Sequence, residues 1–172
     1  CLSRWHWWFG DTHKACIQAS IHVNIMTNPN PDWLYPNPFI LPVTVGADAI
    51  DSYQHVNNSV YLRWVDDCAR AHSLAAGIDC EDAVNFGRGM AVRESRATYL
   101  AAAFEGEDLL VGAWVLRNDR KLRITRQFQI VRVADSATLV TAEVDYVCID
   151  IQSGKPARMP AEFRDNYIPI QI

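Results

Sequence analysis

The segment DSYQHVNNSVYLRW, residues 51–64, carries the side chains of this sequence that are best suited to act together in acid–base chemistry. Asp51 is followed four residues later by His55, and Asn57 and Asn58 then precede a run with helical spacing. A carboxylate can serve as a general base or a nucleophile, and an imidazole can orient a water molecule or accept a proton. The free N–H groups at a helix N-terminus carry a partial positive charge that stabilises an anionic oxygen. The segment therefore predicts either a site that handles a substrate or the polar lead-in to an ordinary helix.

A helix over Ser59–Ala76 is predicted to position these side chains. Asn57, Asn58 or Ser59 can cap its N-terminus, and Gly77 lies just beyond its C-terminus, where glycine is common. Apolar residues recur at helical spacing, which predicts one buried stripe. The stripe comprises Tyr61, Trp64, Val65, Cys68, His72 and Ala75.

Five β-type runs complete the pattern, one before the helix and four after it. Short turns separate the four later runs, which predicts an antiparallel meander. In the last run apolar residues alternate with polar ones, as expected of a strand with one buried face. One long helix and about five antiparallel strands bury their apolar faces together when the sheet wraps around the helix, so an α+β fold is predicted. The runs are FILPVTVGA, MAVRESRATYLAAAF, DLLVGAWVLR, KLRITRQFQIVRV and ATLVTAEVDYVCIDI.

Length, charge and cysteine content limit the class of protein. The chain has 172 residues, 49% of them apolar, and a net charge of -4, which suits one globular domain without a nucleic-acid or membrane partner. No apolar run approaches the roughly 18 residues that a membrane span needs. The five cysteines are scattered without a CxxC pair, which favours a reduced, cytoplasmic protein without a disulfide framework or a bound metal.

The sequence is predicted to divide into an N-terminal extension, residues 1–38, and one domain, residues 39–172. Residues 1–25 precede the first methionine, Met26, and have neither helical nor strand periodicity. We interpret them as a non-native, translated upstream sequence without function, with an interaction patch at the tryptophans of WHWW as the alternative. Five of the eight prolines lie in residues 27–42, which predicts an extended lead-in to the domain.

Three motifs together resemble one family. The segment DSYQHVNNSVYLRW, the VRES that follows about forty residues later and the GKPARMP after the last strand are similar to the hotdog-fold acyl-CoA thioesterases related to 4-hydroxybenzoyl-CoA thioesterase. They are also similar to the plant acyl-ACP thioesterases. The resemblance covers roughly Phe39 to Phe163 and implies a five-stranded antiparallel sheet wrapped around one long helix. It further implies hydrolysis of acyl-CoA or acyl-ACP without a metal or cofactor, in a homodimer or homotetramer with active sites at subunit interfaces.

The resemblance implies catalytic roles for four residues. Asp51 matches the family's catalytic carboxylate, His55 the histidine of the plant-type enzymes, and Glu94 the glutamate in their counterpart of VRES. The relatives use the backbone N–H at the position of Asn58 as a donor to the carbonyl oxygen. Glu94 is assigned to water activation or to orienting His55. An ion pair with a neighbouring arginine is the alternative for Glu94, since two charges in a central strand are costly unless paired or functional; the candidates are Arg93, Arg96 and Arg126.

Six residues are predicted to bind substrate. Four belong to the motif itself, and two belong to a basic hairpin that either holds the CoA phosphates or is a solvated face. The aromatic residues of the helix are interpreted as core residues that also form the wall of an acyl pocket, and His72 as a structural residue. The predicted binding residues are Tyr53, Asn57, Tyr61, Trp64, Arg120 and Lys121.

Two departures from the family pattern leave alternatives open. Ala49 stands where many members have the first acid of an Asp-x-Asp pair, and Tyr53 stands where plant-type enzymes have asparagine. A non-catalytic acyl-binding protein on the same scaffold is therefore the alternative to a thioesterase. A hotdog enoyl-thioester hydratase fits less well, because enzymes of that kind resemble a different signature, Asp-x-Asn-Pro-x-His. Here His55 follows Asp51 by four residues without a proline.

Overall fold

The computed structural model describes residues 31–171, except for the side chains of residues 80–82. No helix within this range is long and apolar enough to cross a membrane. The interpretation of residues 1–25 as non-native, and its alternative of a tryptophan patch, lie outside the described residues. In chain order the elements are β1 (Phe39–Thr44), a 3-10 turn (Ala47–Ala49), α1 (Asn58–Ala75), α2 (Cys80–Asn85), β2 (Arg88–Tyr99), β3 (Asp108–Asn118), β4 (Arg123–Arg132), β5 (Thr138–Asp150) and α3 (Ala161–Asn166).

The five strands form one antiparallel sheet in the order β1-β3-β4-β5-β2. The predicted α+β class is confirmed, and β3, β4 and β5 are sequential neighbours, as a meander requires. The meander prediction is wrong for β2, which pairs with β5 instead of β3. Residues 100–107 carry the chain back past β5 and β4, and they are anchored where Ala103 O accepts a hydrogen bond from Val56 N–H at 2.9 Å. Within the described part of the chain, β2 is consequently an edge strand.

α1 lies on one face of the sheet and begins where the sequence predicts. The Asn57 side chain caps it by accepting a hydrogen bond from Ser59 N–H at 2.9 Å. Gly77 follows its end with a φ of 77°, a left-handed conformation that glycine adopts without strain. The buried faces of α1 and β5 belong to one core, which confirms the alternation predicted for β5. The core residues of α1 are Val60, Tyr61, Trp64, Val65, Cys68 and Ala69, and those of β5 are Leu139, Val140, Ala142, Val144, Tyr146 and Cys148.

A β-bulge at Arg93 changes which side chains of β2 share a face. Val92 pairs with Tyr146, which is buried in the core, whereas Glu94 pairs with Asp145. Successive residues of β5 point to opposite faces of the sheet, so Val92 lies on the core face and Glu94 on the outer face. Because β2 is an edge strand within the described residues, the expectation that Glu94 occupies a central strand is wrong.

Two short helices occur where the sequence predicts only loops. α2 and α3 have six residues each, which is too short for the apolar periodicity that reveals a helix in a sequence. α3 and the residue after its end bury Phe163 and Tyr167 against the core. Asn118 Nδ2 donates a hydrogen bond of 2.9 Å to Tyr167 O, so the β3–β4 hairpin and α3 are held together.

Residues 33–36 pack on the outer face of the sheet. The rings of Trp33 and Tyr35 both meet Trp114 edge-on, with centroids 5.8 Å apart. Gly112 allows this approach, because a Cβ there would stand 2.6 Å from Trp33 Cζ3. Gln129 Oε1 accepts a hydrogen bond of 2.8 Å from a backbone N–H of this segment. The described end of the extension thus covers β3 and β4, and the domain boundary at residue 39 stays a prediction.

Candidate active site

The loop before α1 holds Asp51 and His55 side by side. An isolated bridge between Ile50 and Val56 closes the loop, and Asp51 N–H donates to His55 O at 3.0 Å. Asp51 Oδ1 also accepts a hydrogen bond of 2.8 Å from the backbone N–H of Tyr53, a local bond typical of an aspartate in a turn. These bonds leave Asp51 Oδ1 at 3.9 Å from His55 Nδ1. The structure therefore brings these two predicted residues together.

The Asp51 and His55 side chains contact each other without a direct hydrogen bond. Their separation of 3.9 Å exceeds hydrogen-bond length, although it still permits electrostatic attraction when the imidazole is protonated. His55 Nδ1 lies 3.3 Å from the backbone carbonyl of Val56. The Tyr53 ring stacks on the His55 ring with centroids 6.0 Å apart, and it is 79% exposed. Tyr53 therefore covers His55 from the solvent side.

The N-terminus of α1 presents a free backbone donor beside this pair. The side chain of Asn57 accepts hydrogen bonds from both N–H and Oγ–H of Ser59, so it acts as the cap. Within residues 31–171 no group accepts a hydrogen bond from the Asn58 N–H, whereas Asn58 O accepts one from Tyr99 Oη at 3.2 Å. The first turn of a helix normally leaves such groups free to bind an anionic or polarised oxygen.

A cavity of about 260 Å³ opens at this end of α1, and we call it the site cavity. His55 and Asn58 line it, whereas Asp51, whose Oδ1 is 3.9 Å from His55 Nδ1, is not among the lining residues. The end of β2 and the residues after it form the opposite wall. The sequence did not predict that wall, because pairing between distant segments creates it. An aromatic residue at the end of a strand is the only local signal of it in the sequence. The lining residues are His55, Val56, Asn58, Tyr61, Tyr99, Leu100, Ala101 and Ala102.

Tyr61 and Trp64 play different parts in the site. Tyr61 is 2% exposed, and its Oη accepts a hydrogen bond of 2.8 Å from the backbone N–H of Ala103. Burial raises the pKa of Tyr61, so its hydroxyl stays neutral. Trp64 meets the Tyr61 ring edge-on at 5.4 Å and does not line the site cavity. Tyr61 is thus a wall residue of the cavity, and Trp64 belongs to the core.

Glu94 is not brought to the Asp51–His55 pair within one protomer. Its carboxylate lies on the outer face of β2, 3.7 Å from Arg96 Nη1, with the side chain 50% exposed. Arg96 in turn forms a shorter contact of 2.6 Å with Glu143. The ion pair with Arg96 that the sequence left open is therefore present.

Arg120 and Lys121 lie at the opposite end of the sheet from the site cavity. The first residue of β4, just after this hairpin, pairs with Val147 of β5, and Val147 pairs in turn with a residue near the start of β2. Tyr99, which lines the site cavity, is eight residues farther along β2 than that residue. At the rise of a strand, eight residues span roughly 26 Å. Arg120 has a φ of 57° and pairs with Asp165 at 2.6 Å. Neither basic residue reaches the cavity within one protomer.

His72 is half-buried away from the site, against the ring of Phe39, with centroids 5.0 Å apart. Burial lowers the pKa of His72 to about 4, and the charge of Arg126 adds to the effect. His72 is therefore neutral near pH 7, as a structural residue can be. Among the described residues, no group of three or more His, Cys, Asp or Glu side chains is placed to hold a metal ion.

A family model described as the thioesterase-like superfamily matches residues 45–167, which include the loop, α1 and β2, the elements that form the site. The match contains every residue that the sequence suggested for catalysis.

Solved structures of similar fold include a 1,4-dihydroxy-2-naphthoyl-CoA thioesterase from Synechocystis, with a TM-score of 0.69 and 17% identity over 76% of this chain and 96% of that one. A hypothetical protein from Staphylococcus aureus, solved in complex with CoA, has a TM-score of 0.70 and 20% identity over 76% and 81%. A DHNA-CoA thioesterase from the same organism has a TM-score of 0.65 and 20% identity over 69% and 78%. The hotdog fold predicted from the sequence is confirmed.

Proposed function

Because the chain belongs to the thioesterase-like superfamily, we propose that it hydrolyses an acyl thioester, releasing a carboxylic acid and a free thiol. The observation that carries the proposal is the site cavity at the N-terminus of α1. There His55 and the unpartnered N–H of Asn58 face the same space, with Asp51 3.9 Å from the imidazole.

In this proposal the thioester carbonyl oxygen accepts a hydrogen bond from Asn58 N–H. The helix dipole and this donor stabilise the negative charge that develops on the oxygen as water attacks, and losing one such donor typically costs about 10²–10³ in rate. The water gives its proton to the Asp51–His55 pair, and the tetrahedral intermediate collapses by breaking the C–S bond. The departing thiolate is a good leaving group, so a strong general acid is unnecessary.

Asp51 is proposed to act as a general base rather than as a nucleophile. Direct attack would require the carboxylate in the cavity wall, whereas His55 lines the cavity and Asp51 does not. A water molecule held by His55 can transfer its proton toward Asp51 without an anhydride. Single turnover in oxygen-18 water separates the two routes: the general base leaves the label in the released acid only. Label in the Asp51 carboxylate would establish attack by Asp51.

Acyl-CoA is the proposed substrate, with acyl-ACP as the alternative carrier. The Staphylococcus aureus structure in complex with CoA and the two CoA thioesterases of like fold support this choice. The free thiols of Cys68 and Cys148 are consistent with the proposed cytoplasmic location.

A homodimer, alone or within a homotetramer, is proposed to complete the site through β2. An edge strand with unpaired backbone groups can pair with its own copy, and Val92 there is 53% exposed. Antiparallel self-pairing about the middle of β2, near Glu94, sets Tyr99 of one protomer beside the partner's Arg88. The partner's basic hairpin then lies at the same end of the joined sheet as the site cavity, where Arg120 and Lys121 can meet the CoA phosphates. Glu94 approaches the two-fold axis, and its role in orienting water or His55 is tested below.

A thiol-release assay across acyl-CoA chain lengths tests the function. Asp51→Asn and Asp51→Ala should lower kcat/KM by at least about 10²-fold, in the range of general-base catalysis. His55→Ala and Glu94→Gln measure the roles assigned to those residues. Asp48→Asn is the matched control, since its exposed carboxylate also lies near α1 but pairs with Arg63 at 3.7 Å. Turnover that survives both Asp51 changes would remove Asp51 from the mechanism.

A non-catalytic acyl-thioester-binding protein is the second candidate. The absence of Asp51 from the residues that line the site cavity is the observation that favours it. Wild-type protein that binds acyl-CoA by calorimetry and releases no thiol from any acyl-CoA or acyl-ACP would establish this function instead.

A further inference from the structure

A second cavity, of about 270 Å³, lies under the C-terminal half of α1, and we call it the Arg126 cavity. It is enclosed by α1, α2, α3 and the sheet, and it shares no lining residue with the site cavity. Most of its wall is apolar. The apolar residues include Ile78, Ala83, Met90, Ile124, Ile151 and Phe163.

Arg126 projects from the central strand β4 into this apolar space. It is only 2% exposed. Its Nη1 donates to Ala69 O at 2.6 Å and its Nη2 to Ser73 Oγ at 2.9 Å, so the guanidinium is held in place by α1. Nε is buried and has no hydrogen-bond partner among the described residues. Two neutral acceptors thus fix the group and leave one of its three nitrogens, Nε, without a partner among the described residues.

The positive charge of Arg126 has no ionic partner within the described residues. The two acceptors on α1 are uncharged, and none of the nine ion pairs involves Arg126. Asp66 also lines the cavity, but its carboxylate accepts a hydrogen bond from Arg70 Nε at 2.9 Å. Arg88 is likewise engaged, with Asp150 at 2.9 Å.

Aromatic rings compensate this buried charge only in part. The guanidinium carbon lies 4.8 Å from the ring centroid of Tyr167 and 5.5 Å from that of Tyr146. Such contacts attract a cation but supply no counter-charge. A fully buried arginine is normally paired with an acid, because an isolated buried charge is costly. The open cavity beside Arg126 is where a missing counter-charge can bind.

We propose that the Arg126 cavity binds the carboxylate of a small, otherwise apolar molecule. One negative charge matches the single unpaired guanidinium, and a carboxylate oxygen can accept the hydrogen bond that Nε–H does not make. The apolar wall suits a hydrocarbon or aryl body. A phosphate group, with up to two charges and three further acceptors, would leave charge and acceptors unmatched against this wall.

The carboxylate has two chemically distinct sources. One is a free carboxylic acid that enters the Arg126 cavity independently of hydrolysis. The other is the far end of an acyl thioester that carries a distal carboxyl group and reaches from the partner's site cavity across the paired β2 strands. This second source rests on the proposed function and on the dimer, whereas the first depends on neither.

Titration of the full-length protein with benzoate and hexanoate tests the first source. The matched amides, benzamide and hexanamide, keep the size and remove the charge. We expect the acids to raise the thermal unfolding midpoint and to bind at least about tenfold more tightly than the amides, as a charge-assisted hydrogen bond in a buried site provides. Arg126→Gln should abolish that preference. Arg123→Gln removes the same charge from an exposed position of β4 and should not change it.

Arg126→Gln also removes two bonds to α1, so it is paired with two further variants. Arg126→Lys keeps the charge and should retain part of the preference for acids. Ala83→Phe, at a partly buried position of the wall, fills the cavity while leaving Arg126 intact, and it should abolish binding of both acids. Circular dichroism confirms that each variant is folded. If Arg126→Gln does not fold, the binding of the two acids to Ala83→Phe decides whether they occupy the Arg126 cavity.

Kinetics with two acyl thioesters of equal chain length test the second source. Wild-type protein should prefer dodecanedioyl-CoA to dodecanoyl-CoA, because the three strand spacings from β4 to the partner's β2 amount to about 14 Å. The ratio of their kcat/KM values should fall about tenfold to a hundredfold in Arg126→Gln. If the protein prefers free acids to amides but does not prefer the diacid thioester, the site binds free acids. Equal binding of acids and amides together with no preference for the diacid thioester would overturn the proposal. If no thioester is hydrolysed, the proposed function fails, while the benzoate and hexanoate titrations still decide the carboxylate site.

Discussion

Tyr61→Phe removes a side-chain oxygen that bonds α1 to the segment after β2. In the native structure Tyr61 Oη accepts the Ala103 N–H at 2.8 Å, and both residues are buried, with exposures of 2% and 0%. Phenylalanine fills the same space but leaves a buried N–H unpaired, which typically costs about 1–3 kcal/mol. For a domain of this size a loss of about 2 kcal/mol lowers the thermal midpoint by roughly 4–8 °C.

The same substitution should also affect the substrate, because Tyr61 lines the site cavity and Ala103 follows its wall. Urea unfolding measures the loss of stability, and thiol release at several acyl-CoA concentrations measures KM, which we expect to rise. Tyr99→Phe is the matched control: its hydroxyl donates to Asn58 O at 3.2 Å from a ring that is 40% exposed, so water replaces the bond. A loss of stability in Tyr61→Phe no larger than in Tyr99→Phe would show that the buried hydrogen bond to Ala103 does not stabilise the fold.

Three further predictions concern the cap, a half-buried histidine and the sheet edge. Asn57→Ala should lower the free energy of unfolding by about 1 kcal/mol in urea, because Ser59 N–H loses its acceptor; an unchanged midpoint would contradict the capping role. His72 has a folded-state pKa of about 4 against 6.5 unfolded, so the unfolded chain binds the proton first and stability falls as pH drops from 6.5 toward 4. His72→Phe should flatten that part of the urea-derived stability curve, whereas parallel curves would show that His72 does not contribute. Val92→Lys on the β2 edge should shift the light-scattering mass to that of a monomer and reduce thiol release together, and a fully active monomer would exclude the proposed dimer.

Local chemistry made α1 and its approach predictable from the sequence. The cap at Asn57 and the stop at Gly77 depend on neighbouring residues only, and the structure places the helix ends within one residue of the prediction. The closeness of Asp51 and His55 is likewise set within a five-residue loop. Interactions of this range leave a signature in the residue types and their spacing.

Contacts between distant segments were not predictable in the same way. The pairing of β2 with β5 depends on where residues 100–107 run, and the bulge at Arg93 reverses the face of Glu94 without any change in the sequence pattern. Arg126 was considered as a partner for Glu94, yet it lies on the core face and bonds to α1. Strand alternation fixes a face only while the register is unbroken, and a single inserted residue shifts every side chain after it.

The position of a bound thioester carbonyl decides whether the N-terminus of α1 polarises the substrate. A crystal structure with an acyl-CoA analogue in which a methylene replaces the thioester sulfur keeps the carbonyl and prevents cleavage. We expect the carbonyl oxygen about 2.7–3.1 Å from the Asn58 nitrogen, with the His55 ring facing the carbonyl carbon. A carbonyl bound elsewhere, with the Asn58 N–H still free, would contradict this expectation.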